Sequence, residues 1–136
     1  LLPVAFLNGC CMLVHRSVFE KIGFWDTSYF MYGEEVDFCW RAHKAGFSMV
    51  TVTTAHMLHK VSRSAGKIGS QALYLRVRNQ NWFYRRYANP AQAVLMAVLS
   101  LIRNLAFSLT RFGRGAGRAA FIPLQGWFDG WFRVKG

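Results

Sequence analysis

What most constrains this chain is how unevenly its charge is spread. Up to Ala65, six Lys and Arg nearly balance five Asp and Glu, whereas from Gly66 onward eleven bases face a single acid, Asp129. Almost all of the formal net charge of +11 therefore belongs to the C-terminal half. That half is also apolar: residues 91–109 form a run interrupted only by Gln92, Ser100, Arg103, Asn104 and Ser108. Such a chain has two physical characters, a mixed-charge globular part and then a basic, aromatic part suited to an anionic surface.

A chain of 136 residues with 53% hydrophobic and 17% charged side chains is globular rather than disordered, with enough apolar material for one modest core. Residues 1–7 are apolar but carry neither an initiator Met nor a basic leader, so they read as the interior of a longer chain and not as a secretory signal. Cys10, Cys11 and Cys39 are odd in number and two are adjacent, which suits neither a disulfide framework nor a CxxC metal site. Small buried thiols in a reducing compartment are expected. The pI of about 10.3 raises a nucleic-acid-binding module as a rival. Zinc-finger spacing and RNP-like motifs are missing from the sequence, and the bases gather beside an apolar stretch that membrane phosphates explain equally well. The expectation is therefore no nucleic acid.

Residues 4–7 and 10–15 read as two short strands separated by the turn pair Asn8-Gly9. Ser17 with Glu20 has the spacing of a capping box, opening a short helix that ends at Gly23. Residues 24–32 are aromatic and irregular, a structured loop able to line a cleft. After Gly33, residues 34–45 fit a helix, stopped by Gly46, and residues 47–52 read as a strand leading to His56 and His59. On the helical wheel Glu34, Asp37, Arg41 and Lys44 share one polar arc, with Asp37 and Arg41 spaced as an i,i+4 ion pair. Glu35 falls between Cys39 and Ala42 on the apolar side. An inward carboxylate in a first turn is unusual; the bland alternative is a solvated acidic turn that complements the helix dipole.

The segment Gly33-Glu34-Glu35-Val36-Asp37-Phe38-Cys39-Trp40-Arg41, followed by a strand and His59, resembles the ED-containing segment of family 2 glycosyltransferases of the GT-A fold. Asn8-Gly9-Cys10-Cys11-Met12-Leu13-Val14, the helix at 16–23, Phe24-Trp25-Asp26 and Phe30-Met31-Tyr32 look like the same family's blocks in the same order. The resemblance covers about residues 4–87. It implies an α/β fold class, with residues 1–88 as the acceptor-side, catalytic part of a GT-A (Rossmann-like) domain; composition and charge give residues 89–136 as a basic amphipathic or re-entrant membrane-association region.

It also implies an inverting transfer from a nucleotide-sugar donor to a cell-surface glycan or lipid-linked acceptor, rhamnosyltransferase-like by family habit. The second acidic residue of the pair is the family's base, and Glu35 occupies that position, with Glu where many relatives have Asp. Burial and the nearby Glu34 and Asp37 would raise its pKa while the helix N-terminus would lower it, and the sequence leaves the net sign open. Asp37 joins it in the catalytic segment, orienting Arg41 or the acceptor. Gly33, Glu34 and Trp25 fall at substrate-binding positions. His59 matches a ligand of the diphosphate-bound divalent metal, Mg²⁺ or Mn²⁺, although this chain has no DxD motif; His56 is a weaker competitor. Ser62 and Ser64 stand in a loop suited to closing over the diphosphate, and Arg78-Asn79 resembles a family pair. Read as a C-terminal fragment lacking the nucleotide-binding half, the chain is expected to be inactive alone, and a noncatalytic membrane anchor or scaffold is the rival reading.

The run at 91–109 approaches the roughly 20 residues needed to span a bilayer. A mid-helix Arg costs about 2.5–3.5 kcal/mol on insertion scales, so Arg103 beside Asn104 favours an interfacial or re-entrant helix. Phe121, Trp127, Phe128, Trp131 and Phe132 with flanking bases suit the headgroup boundary. The expected location is the cytoplasmic face of the cell membrane, peripheral or re-entrant.

Overall fold

The computed structural model describes residues 1–59 and 65–134, which divide into two compact units, Leu1–Ser62 and Arg63–Gly136. Elements in chain order are β1 (Leu2–Pro3), α1 (Arg16–Ile22), α2 (Glu34–Lys44), β2 (Val50–Thr51), α3 (Ala65–Tyr87), α4 (Pro90–Gly113) and α5 (Ile122–Phe132), with 3₁₀ turns at Thr27–Tyr29 and Gly117–Phe121. The described chain is thus mostly helical rather than the expected α/β. Its strands are one two-residue antiparallel pair, Leu2 opposite Thr51 and Pro3 opposite Val50. Residues 4–7 and 10–15 are not strands, and of residues 47–52 only Val50 and Thr51 are. Apolar β-branched segments become strands only where a neighbouring edge takes their N–H and C=O groups, and here the pairing stops after two residues.

In the first unit, Val18, Phe38 and Ala42 form the core, with Met12, Val14, Phe19, Ile22 and Phe47 packed around them. α1 starts two residues earlier than the capping-box reading required. His15 is the N-cap, its Nδ1 accepting from the Ser17 N–H, while Glu20 pairs with Arg16 at 2.8 Å on the surface. The thiols also differ from expectation: Cys39 is buried, but Cys10 and Cys11 are exposed. Burial pushes the Cys39 thiol up from its ordinary value, which keeps it protonated and inert.

The second unit contains α3, so the chain's packing divides after Ser62, whereas the functional division read from sequence was drawn at residue 88. α3 is kinked at Gly69 and packs mainly on α5, which also packs on α4. The approach is close because α5 turns glycines toward α3. A Cβ on Gly126 would come 2.8 Å from the Tyr74 carbonyl oxygen, and one on Gly130 would meet the Arg78 carbonyl closer still. Between α3 and α4, Asn89 and Pro90 stop one helix and start the next: the Asn89 side chain accepts from the Gln92 N–H at 2.9 Å and Gln92 reaches back to the Asn89 N–H.

The interior of this unit is tied by polar groups. Asn81 Oδ1 accepts from Ser100 Oγ at 2.7 Å and from the Trp131 indole N–H at 2.8 Å, and the Trp127 indole N–H donates to Ser100 Oγ at 3.0 Å and the Ala97 carbonyl at 3.1 Å. Tyr74 donates to Asp129 at 2.8 Å. Trp127 and Trp131, expected at a headgroup boundary, thus aim their N–H groups inward, while Phe121, Phe128 and Phe132 are exposed. A half-buried indole N–H needs an acceptor, and Asn81 and Ser100 supply it.

Candidate active site

The second of the two acidic residues opening α2 stands in an open cleft of about 460 Å³, lined by Gly9, Cys10, Cys11, Met12, Trp25, Glu34 and Glu35. Three segments distant in sequence meet there: the turn at 8–10, the aromatic loop and the first turn of α2. The turn is set locally, Asn8 Oδ1 accepting from the Cys10 N–H at 3.1 Å. Gly9 lies directly against the acid, since a Cβ added to it would come 3.3 Å from Glu35 Cβ. Gly33 is the N-cap of α2 at φ 95°, a left-handed conformation that favours glycine. Having no side chain to cap the helix, it leaves its own N–H to Glu35 Oε2, at 3.1 Å.

Glu34 is half-buried beside it, and its Oε2 is buried without a hydrogen-bond partner. Burial raises the Glu34 pKa above the ordinary carboxylate value, opposed by its backbone hydrogen bond and assisted by the charge of Glu35. The two acids thus occupy different environments within one turn of helix.

Asp37 does not line this cleft. It is 0% exposed, and the helical wheel had placed it with Arg41 on a solvated arc opposite Glu35. The wheel gives relative angles but not which side another segment covers, and residues 22–29 cover this one. Arg41 Nε donates to Asp37 Oδ2 at 2.7 Å, while its other nitrogens donate to the Ile22 carbonyl at 2.6 Å and the Phe24 carbonyl at 2.9 Å. Tyr29, also fully buried, donates to Asp37 Oδ1 at 3.4 Å. The Asp37–Arg41 pair therefore clamps the aromatic loop onto α2. Trp25 is held by the same packing, its ring stacked on Phe38 at 4.7 Å and tilted on Phe19 at 5.5 Å.

The loop carries strain. Phe30, at φ 61° and ψ −53°, is the centre of a classic γ-turn in which the Met31 N–H donates to the Tyr29 carbonyl at 2.7 Å, and Tyr32 has φ 68°. Bulky residues at positive φ cost of order 1–3 kcal/mol each and persist where surroundings over-determine them. The anchored Tyr29 on one side and the Gly33 cap on the other do so here.

His59 is exposed, and among the described residues no group of three or more His, Cys, Asp or Glu is arranged to hold a metal. His59 alone does not fit an ion. Ser62 and Ser64 lie outside the described residues. Arg78 and Asn79 touch one another, Arg78 Nε donating to Asn79 Oδ1 at 2.8 Å, within the second unit. Sequence reading missed the contact of Gly9 with Glu35; Asn8-Gly9 signalled a turn, but nothing local says which helix the turn meets.

No protein-family model matches the sequence, and no solved structure matches it significantly. Among curated proteins, the chain is 46% identical over 65 residues, 48% of its length, to an N-acetylglucosaminyl-diphospho-decaprenol L-rhamnosyltransferase of Mycobacterium tuberculosis. It is 35% identical over 79 residues, 57% of its length, to a low-salt glycan biosynthesis hexosyltransferase of Haloferax volcanii. The matched regions are 21% and 26% of those proteins. Over about half its length, then, the chain is homologous to glycosyltransferases.

Proposed function

We propose that this chain is the acceptor-side part of an inverting, family 2, GT-A-type glycosyltransferase, and that Glu35 is its general base. The observation that carries the reading is the position of Glu35: in an open cleft beside Trp25, at the N-terminus of α2, with one carboxylate oxygen already fixed on the Gly33 N–H. A base must be held still and reach the proton it takes. With Oε2 so held, Oε1 is left for an acceptor hydroxyl. As that hydroxyl oxygen bonds to the anomeric carbon of the donor sugar, its proton passes to Glu35. The bond from that carbon to the nucleoside diphosphate breaks, and the electron pair leaves with the phosphate oxygen.

Trp25 offers an aromatic face for a sugar, Glu34 a protonatable neighbour for its hydroxyls, and Gly9 and Gly33 the backbone that sets the carboxylate. Asp37 acts as a positioning residue, holding the loop that carries Trp25. The acceptor class is a lipid-linked or surface glycan, drawn from the relative whose name specifies a diphospho-decaprenol sugar. Rhamnose as the donor sugar comes from the same relative. The proposed location is the cytoplasmic face of a membrane.

In the full-length protein, Glu35→Gln should leave donor binding nearly unchanged and slow transfer by about 10²-fold or more, and near-normal turnover would remove the assignment. A Mg²⁺ or Mn²⁺ contact from His59 is a separate proposal: His59→Ala should raise the metal concentration for half-maximal activity while His56→Ala raises it much less, and an unchanged titration returns His59 to the surface.

A further inference from the structure

α4 is built inside out. Its buried residues are Ser100, Asn104 and Ser108, four apart, whereas Val98, Ile102, Leu105 and Leu109 are exposed. The helix is long and apolar enough to cross a membrane, yet only 17% of its apolar stretch is buried within the protein. At 100° per residue the exposed apolar positions other than Phe107 form one stripe roughly 140° wide, running from Val94 to Phe112, a length of roughly 27 Å. The opposite side is not free. α3 packs across the middle of α4, where Asn81 accepts from Ser100 and Gln80 accepts from Arg103 at 2.9 Å.

We infer that the second unit rests on one leaflet of an anionic bilayer, with α4 lying flat so that this stripe enters the boundary between headgroups and acyl chains. A crossing α4 would bring its midpoint to the hydrocarbon centre. It would carry Gln80 and Asn81 there, together with the exposed Arg76 and Arg86 on the same packed helix. Ionised and polar side chains are costly at that depth. Lying flat, α4 keeps α3 on the aqueous side and Arg103, at the edge of the stripe, level with the headgroups.

Charge selects the occupant. Asp129 is the single acid from Gly66 onward, and the exposed Arg114 and Arg118 follow directly on the end of α4. Two copies meeting by this face would bring like charges together, whereas anionic headgroups neutralise them. The inference rests on the membrane location proposed above and is independent of the role of Glu35. Vesicle binding tests the location, and depth along α4 tests the orientation.

The experiment uses the full-length protein with Cys10 and Cys11 replaced by Ser and the buried Cys39 retained. Single cysteines at Val94, Val98, Leu105 and Leu109 on the stripe, and at Gln71 and Arg76 on α3, carry an environment-sensitive fluorophore. Vesicles are phosphatidylcholine with about a third phosphatidylglycerol, bearing nitroxides at shallow or deep acyl positions. A flat helix gives equal, shallow quenching at all four stripe positions and little at Gln71 or Arg76. Binding should fall at least tenfold in high salt and at least tenfold for the exposed pair Leu99→Asp with Ile102→Asp, whose helical circular dichroism should match wild type. Quenching deepest at Val98 and Leu105 and shallow at Val94 and Leu109 would show a span and overturn the orientation. Absence of vesicle binding, with dimers in sedimentation, would show a second copy on the stripe and overturn the lipid occupant.

Discussion

The two units bury opposite chemistries. In residues 1–62 an apolar core of Val18, Phe38 and Ala42 lies beside one fully buried carboxylate, Asp37, which is matched by a guanidinium. In residues 63–136 the hidden side of α4 is Ser100, Asn104 and Ser108, and its apolar residues face outward. Water organises the first arrangement: apolar groups leave it and the half-buried acids Glu34 and Glu35 remain at an open cleft. The second arrangement suits the membrane boundary proposed for it: Ser100 meets Asn81 inside, while Asn104 Nδ2 and Ser108 Oγ are buried without a hydrogen-bond partner.

Four substitutions in the full-length protein sharpen or break that contrast, with protection from amide exchange read separately in each unit. The largest effect is expected from Asp37→Ala, which leaves Arg41 unpaired and frees the loop at 24–32. Removing one partner of a buried pair costs about 3–5 kcal/mol, and protection should fall in α1 and α2 while α3–α5 keep theirs. Glu20→Ala breaks the pair with Arg16, whose side chains are 60% and 90% exposed, and should change little. Equal losses from the two would show that burial of Asp37 carries no special weight.

Gly130→Ala comes next. Its Cβ meets the backbone of α3, so α5 must move, at about 1–3 kcal/mol. Protection should fall in α3 and α5 and not in α1 and α2. Loss spread over both units would mean that they unfold as one body.

The smallest effect belongs to Glu34. Its pKa is raised in the fold, so its charged form is disfavoured there. That penalty is absent below the unfolded value near 4.5 and grows as pH rises through the folded one. Glu34→Gln should therefore leave stability unchanged near pH 4 and raise it slightly at pH 7. A decrease at pH 7 would show that the Glu34 charge is stabilised by a partner.

Much of this was legible in the residue order. The division of charge, the helix opening at Glu34 and ending before Gly46, and the apolar run of α4 follow from spacing and composition, which act locally. The strands were not legible: the residues at 4–7 and 10–15 have strand-like composition, but a strand exists only against a partner edge. The exposure of Cys10 and Cys11 was equally hidden, because adjacent small residues say nothing of what covers them.

Residue order alone settles that one half of the chain is basic and apolar and that a helix opens at Glu34 and closes before Gly46. Tertiary structure alone decided that Asp37 is the inward carboxylate, that Gly9 abuts Glu35, and that Trp127 and Trp131 point their N–H groups at Asn81 and Ser100. It also decided that polar α3 lies across the middle of α4. The physical reason is common to all four: periodicity fixes angles around an element's own axis, but burial depends on which distant segment packs against each side.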